Sequence, residues 1–131
     1  SSDEWFISCK MKLGISKQKI VSERIKNMLR ERATQQPLGK LSCGSVFRNP
    51  PNQYAAKLID LCGLKGKRVG GAIISDKHSN FIINTGNATS SDIEKLIEFV
   101  QATVYEKHSI KLVPEVRIIC KNFTEVNDAI A

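Results

Sequence analysis

The sequence predicts an α+β fold, with helices packed on one face of a small mixed or antiparallel sheet. Two long segments carry apolar residues at helical spacing, and short apolar runs bounded by glycine or proline indicate strands. The helical and extended segments alternate irregularly along the chain, which is typical of an α+β domain. At 131 residues the chain is long enough for one domain with a substantial core.

The first predicted elements are a strand and a basic amphipathic helix. Residues 5–13 alternate apolar and polar side chains in their second half, which favours a strand. From Ser16 to Arg32 the apolar residues recur at helical spacing with lysines and arginines between them. Because Glu23 and Glu31 lie among these basic residues and no aromatic residues interleave, we interpret the helix as a solvated surface helix and not as a nucleic-acid contact.

The middle of the chain predicts short elements separated by turns. Residues 41–47 form a strand-like run that ends at an Asn-Pro-Pro-Asn turn, because proline interrupts both helices and ladders. Residues 54–62 place apolar side chains on one helical face and stop at Gly63, which predicts a short buried helix. Within residues 66–84, two apolar runs joined by a polar loop predict two strands.

A second long helix and a last strand complete the expected fold. Ser91 and Glu94 offer a capping box for this helix, and apolar residues between Ile93 and Val104 form a stripe along it. Residues 116–119 follow Pro114 and are predicted as the last strand.

Composition and charge limit the classes of function. Apolar residues make up 41% and charged residues 25% of the chain, and no apolar run approaches the length of a membrane span, so a soluble cytoplasmic protein is expected. The net charge of +7 suggests an anionic partner, whether nucleic acid, a membrane surface or a phosphorylated small molecule. Charge alone does not choose among these partners.

The cysteines and histidines do not predict a metal site. The four cysteines lack a CxxC pair, and the two histidines are far apart in sequence. We therefore expect reduced, buried thiols and no bound metal. Cys43 lies beside a glycine and a serine, and we interpret it as a packing residue.

Three segments are more particular than packing requires. They are GSVFRNP at residues 44–50, GLKG at 63–66 with the paired glycines at 70 and 71, and PEVR at 114–117. In this order they resemble the C-terminal domain of UDP-N-acetylenolpyruvoylglucosamine reductase, a flavoenzyme of peptidoglycan precursor synthesis. The resemblance extends from about Arg32 to Ile119.

The resemblance implies a reaction and a set of site residues. In the family, NADPH reduces FAD, hydride passes to the enolpyruvyl group of UDP-N-acetylglucosamine enolpyruvate, and the resulting carbanion is protonated to give UDP-N-acetylmuramate. By this resemblance Ser45 is the proton donor and Glu115 the second catalytic group. Asn49, Lys65 and His78 correspond to substrate contacts, with Lys65 suited to the diphosphate.

The same resemblance implies that part of the enzyme lies outside this chain. Residues 1–14 are expected to be the tail of a missing N-terminal FAD-binding region, and residues 15–131 the substrate-binding domain. We expect FAD and NADPH in the complete enzyme, none bound to this chain, and no activity of the chain alone. The expected partners are the enolpyruvyl substrate and the missing region, without nucleic acid or membrane.

Simpler interpretations stand beside each assignment. Alone, Ser45 is an ordinary residue before a turn, Glu115 an exposed strand residue, Lys65 a solvated lysine and His78 a surface histidine. The paired glycines could serve only a tight hairpin. For the whole chain, the alternative is a non-catalytic basic module that binds nucleic acid or another anionic partner. The common order of the segments favours the reductase, and it leaves His78 open between site and surface.

Overall fold

The computed structural model describes residues 5–119, which divide into two compact units at Thr34 and Gln35. In the first unit, helix α1 spans Gln18–Gln35 and has no buried residue. It confirms the predicted amphipathic helix, and its apolar positions are exposed. Residues 5–13, where a strand is predicted, have no ladder partner among the described residues, so that strand is not formed within this part of the chain.

The second unit contains an antiparallel sheet of three short strands. Strands β1 (Arg68–Val69), β2 (Ala72–Ile74) and β3 (Ile82–Asn84) lie in the order β1-β2-β3. Helices α2 (Ala55–Leu61) and α3 (Ser90–His108) pack against each other, and α3 contacts β1 and β2. This arrangement confirms the α+β fold, with a sheet that is antiparallel throughout the described residues.

Helix α3 supplies the centre of the core. Its buried side chains are those of the predicted stripe, namely Leu96, Ile97, Val100 and Val104. They form one cluster with Ile59 of α2, Ile74 of β2 and Leu112 beyond α3, each of which has no exposed surface. Burying an aliphatic side chain of this size contributes about 1.5–3 kcal/mol, so this cluster dominates the stability of the second unit.

The N-terminus of α3 is capped two residues earlier than predicted. The Thr89 hydroxyl accepts a hydrogen bond from the Asp92 N–H at 3.1 Å, and the Asp92 carboxylate accepts one from the Thr89 N–H at 2.9 Å. The hydrogen bond from the Thr89 backbone N–H lowers the pKa of the Asp92 carboxyl group, since it favours the charged form. The predicted box of Ser91 and Glu94 is therefore wrong, although the helix that it was meant to cap is present.

The paired glycines form a tight hairpin loop. Val69 and Ala72 are ladder partners, so Gly70 and Gly71 are the two loop residues between β1 and β2. Gly70 has a φ of +51°, a value that glycine adopts without steric cost. The sequence predicted two strands in this region. Strand β1 was missed because two residues give no recognisable alternation.

Residues 45–48 lie between two other segments and pair with each of them through backbone bridges. Ser45 forms an antiparallel bridge with Phe81, and Phe47 forms one with Pro114. The strand predicted at 41–47 is thus reduced to isolated bridges. The last strand predicted at 116–119 is not formed either, because the backbone pairing falls at residues 113–115, where Arg48 N–H donates to Val113 O.

The cysteines depart in part from the expected burial. Cys62 is buried as a free thiol, and its burial raises the pKa of the thiol, although the charge of Lys107 opposes this effect. Cys9 and Cys43 are exposed free thiols, so the packing role expected for Cys43 is wrong. Cys120 lies outside the described residues.

Candidate active site

One pocket of about 160 Å³ brings together four of the five predicted site residues. Its lining comprises Ser45, Phe47, Asn49, Tyr54, Ala56, His78, Asn80 and Glu115. These side chains come from three separate stretches of the chain that only the fold makes neighbours. Two larger cavities, of about 370 and 390 Å³, lie elsewhere on the second unit and contain none of the predicted catalytic residues.

Backbone hydrogen bonds hold the two predicted catalytic residues beside the pocket. Val46 N–H donates to Asn80 O at 2.9 Å, and Glu115 N–H donates to Val46 O at 2.7 Å. The backbone of Val46 therefore connects its segment to that of Asn80 on one side and to that of Glu115 on the other. Ser45 and Glu115 have exposed side chains, so their hydroxyl and carboxyl groups are accessible from solvent.

Asn49 has a structural bond that orients its side chain. Its Oδ1 accepts a hydrogen bond from the Ala55 N–H at 3.0 Å, at the first residue of α2. Because the oxygen is used in this way, the amide NH₂ is the group that Asn49 can offer to a ligand. An NH₂ donor is suited to a carbonyl or carboxylate oxygen.

His78 is half-buried at the wall of the pocket. Its ring meets Phe81 edge-on, with the ring centroids 4.8 Å apart, and the backbone N–H of His78 donates to Ser75 Oγ at 3.2 Å. Burial lowers the pKa of His78, and the positive charge of Lys65 lowers it further, against a backbone hydrogen bond that raises it. The imidazole is therefore mainly neutral near pH 7, and its buried Nδ1 has no hydrogen-bond partner among the described residues.

Lys65 lies in a second pocket that adjoins the first. This pocket has a volume of about 210 Å³ and shares Ala56 and His78 with the first one. Lys65 Nζ forms an ion pair with Asp60 at 3.0 Å. Lys57 and Lys77 also line this pocket, so its three ammonium groups outnumber its one carboxylate and favour an anionic ligand.

The structure adds residues that the sequence did not single out. Tyr54 borders the first pocket with an exposed side chain, and nothing in the local pattern distinguished it. Asn80 is buried in the wall of the same pocket. It lies between Arg32 and Ile119, the range over which the family resemblance extends, which was the available signal for it. Lys57 and Lys77 were hidden among the many lysines of a basic chain.

Neither a metal-binding cluster nor a membrane-spanning helix occurs in residues 5–119. Within these residues, no three His, Cys, Asp or Glu side chains come together in a group that could hold a metal ion. In the same part of the chain, no helix is both long and apolar enough to cross a membrane.

Comparison with known proteins identifies the family. Residues 36–119 match the model of the UDP-N-acetylenolpyruvoylglucosamine reductase C-terminal domain. Relatives with the name UDP-N-acetylenolpyruvoylglucosamine reductase include one from Legionella pneumophila (strain Corby), which is 52% identical over 118 residues, covering 89% of this chain. Another, from Alkalilimnicola ehrlichii, is 50% identical over 116 residues, covering 88% of this chain.

A solved structure shows the same fold. The crystal structure of the reductase from Thermus caldophilus matches 81% of this chain with a TM-score of 0.67 and 38% sequence identity. The match spans 37% of that chain, and it spans 38% and 39% of the Legionella and Alkalilimnicola relatives. This chain therefore corresponds to little more than a third of the length of its relatives, and it belongs to the UDP-N-acetylenolpyruvoylglucosamine reductase family as its C-terminal domain.

Proposed function

We propose that this chain is the substrate-binding and proton-donating domain of a flavin-dependent reductase that forms UDP-N-acetylmuramate. One observation carries the proposal. Ser45, Asn49, His78 and Glu115, which the family resemblance selected from the sequence, line a single pocket. They come from segments far apart in the chain, and packing alone gives no reason for these polar groups to converge.

The proposed chemistry of this chain is proton donation to a carbanionic carbon. A flavin held elsewhere in the complete enzyme would supply hydride to the enolpyruvyl group, which would leave negative charge on the carbon next to the carboxylate. Ser45 then donates its hydroxyl proton to that carbon, and Glu115 assists the transfer or stabilises the enol form. A serine hydroxyl is a weak acid, so the transfer depends on a strongly basic acceptor and close placement.

The remaining groups bind the substrate in this proposal. The NH₂ of Asn49 donates to a carboxylate or carbonyl oxygen, and neutral His78 provides a polar wall without a fixed charge. Lys65 binds the diphosphate in the second pocket, where Lys57 and Lys77 add positive charge. Because the two pockets share His78, one substrate can place its reacting end and its diphosphate in neighbouring pockets.

The site does not fit a flavin within this chain. A pocket of about 160 Å³ is smaller than the roughly 300–1,000 Å³ typical of cofactor and small-molecule sites, so it accommodates only the reacting end of a substrate. Because the family resemblance implies a separate N-terminal FAD-binding region, we assign FAD and NADPH to the rest of a longer protein. On this proposal the purified chain is colourless and inactive, and a flavin absorbance band in it would contradict the assignment. The cytoplasmic location expected from composition stays a prediction.

The test is Ser45→Ala in the complete reductase. We expect flavin reduction by NADPH to be unchanged and turnover of the enolpyruvyl substrate to fall by about a hundredfold or more, the contribution typical of a positioned acid. Ser42→Ala is the matched control, because Ser42 is exposed nearby in sequence and borders a different cavity. Unchanged turnover in Ser45→Ala would remove Ser45 from the mechanism. Salt-sensitive DNA or RNA binding together with that result would favour the basic binding module instead.

A further inference from the structure

Asn80 connects its own segment, which forms part of the pocket wall, to the segment that carries Ser45. Its Oδ1 accepts a hydrogen bond from Phe47 N–H at 3.0 Å, and its Nδ2 donates to Phe47 O at 2.9 Å. Its backbone oxygen also accepts from Val46 N–H. Asn80 is 4% exposed, so both hydrogen bonds of its side-chain amide are formed away from bulk water.

These two hydrogen bonds take the place of regular backbone pairing between strands, which does not continue here. Asn80 lies in a turn, and regular pairing between its segment and residues 45–47 is limited to the Ser45–Phe81 bridge. The amide of Asn80 has the same donor and acceptor as a peptide group, so it satisfies both backbone groups of Phe47. Removing it leaves two buried polar groups unpaired, which the segment can relieve only by moving.

The same segment determines where the catalytic pair lies. Phe47 forms a bridge with Pro114 on its other side, and Val46 O accepts from Glu115 N–H. A shift at Phe47 therefore reaches Ser45 two residues before it and Glu115 across from it. Asn80 itself lines the pocket, but both ends of its amide are already bonded to Phe47.

We propose that Asn80 is a positioning residue for the proton donor, in that its side-chain amide fixes the backbone of Phe47 and thereby places Ser45 and Glu115 about the substrate. The inference rests on the proposed function. It assigns no substrate contact to Asn80. A displacement of about 1 Å at a reacting group is enough to slow a step by about a hundredfold.

The experiment measures the two half-reactions of the complete reductase separately. For Asn80→Leu, which has a similar volume and no amide, we expect flavin reduction by NADPH to be unchanged. Reoxidation by the enolpyruvyl substrate should slow about tenfold to hundredfold. The solvent deuterium isotope effect on reoxidation should rise, because proton transfer becomes slower than the other steps.

Asn80→Asp supplies a conservative variant with a distinctive pH profile. The protonated carboxyl group has one donor and one acceptor, so it restores both bonds to Phe47, whereas the carboxylate loses the donor. Burial raises the pKa of the introduced carboxyl group, so we expect reoxidation relative to wild type to recover as pH falls through this raised pKa. His78 and Glu115 line the same pocket in both proteins, and the ratio to the wild-type rate at each pH removes their contribution.

Thr85→Val is the matched control, since it removes a hydroxyl bond to Gly71 O in the hairpin and leaves the pocket unchanged. Wild-type reoxidation in Asn80→Leu, or equal slowing in Asn80→Leu and Thr85→Val, would overturn the inference. If Asn80→Leu does not fold, Asn80→Asp decides alone, and a flat ratio across pH counts against positioning. Ser45→Ala measured alongside separates the two proposals. If it slows reoxidation while Asn80 variants do not, only the positioning role fails.

Discussion

Gly71→Ala is expected to destabilise the second unit strongly, because the added methyl group would meet backbone atoms and the Asn87 side-chain oxygen. A Cβ at this position would lie 2.4 Å from Ala88 N and 2.6 Å from Asn87 C, both in the segment that leads into α3. Ordinary van der Waals contact begins at 3.4 Å, so the hairpin and this segment must separate by about 1 Å. Both neighbours are backbone atoms, which cannot rotate away as a side-chain end can.

The expected cost combines overpacking with weakened hydrogen bonds. Overpacking of a well-packed site typically costs about 1–3 kcal/mol. Gly71 O also accepts from Thr85 N–H at 3.0 Å and from Thr85 Oγ1 at 2.8 Å, and each of these bonds contributes about 1 kcal/mol. We therefore expect a loss of about 3 kcal/mol in the free energy of unfolding, a large share of the roughly 5–15 kcal/mol of a typical domain.

Gly63→Ala is the matched control for this prediction. Gly63 has a φ of +72°, and no atom lies within 4 Å of the place that an alanine methyl group would take, so its substitution carries conformational strain without contact. That strain costs about 1–2 kcal/mol. Urea unfolding followed by circular dichroism gives both values from the same linear extrapolation. A Gly71→Ala protein as stable as Gly63→Ala, or more stable, would refute the contact argument.

Three further predictions concern pH, capping and the anionic end of the substrate. The pKa of His78 is lowered in the folded state, so its contribution to stability is present above its ordinary pKa of about 6.5 and is lost as pH falls through the lowered value. Unfolding midpoints across this range should therefore fall less steeply for His78→Gln than for wild type, and equal slopes would contradict the burial argument. Thr89→Ala should lower the free energy of unfolding by about 1 kcal/mol through loss of the cap on α3, measured by urea unfolding, and no change would mean that solvent replaces the hydroxyl. Lys65→Gln in the complete reductase should raise KM for the enolpyruvyl substrate about tenfold, with a smaller effect on kcat. Lys111→Gln is the control, because Lys111 is exposed and lies outside both pockets, and it should leave KM unchanged. Equal KM values for the two variants would exclude a diphosphate contact of Lys65.

Helix α3 could be predicted from sequence because its periodicity reflects burial directly, whereas α1 shows the same spacing although none of its residues is buried. The stripe of α3 is apolar at the positions that face the core. Its cap could not be chosen from sequence, because Thr89 with Asp92 and Ser91 with Glu94 offer the same pattern two residues apart. The short strands were harder, since a two-residue strand such as β1 exists only through its partner.

The site residues could not be predicted from local sequence patterns as the helices could. Local pattern made Ser45 and Glu115 ordinary surface residues, and the structure agrees that both are exposed. Their convergence on one pocket was expected only through the resemblance of several ordered segments. The bonds that hold the pocket together, such as those of Asn80 to Phe47, connect residues 33 positions apart, and no local pattern encodes such a pairing.

The bridges of residues 45–48 to segments on both sides have a consequence for folding order. Such contacts form only after long loops close, and loop closure is paid for in chain entropy before the contacts return any stability. The pocket should therefore appear late, with the complete second unit, and should be absent from partly folded species. A ligand that binds it then stabilises the native state as a whole by mass action, so the thermal shift that such a ligand produces reports on the entire unit and not on one loop.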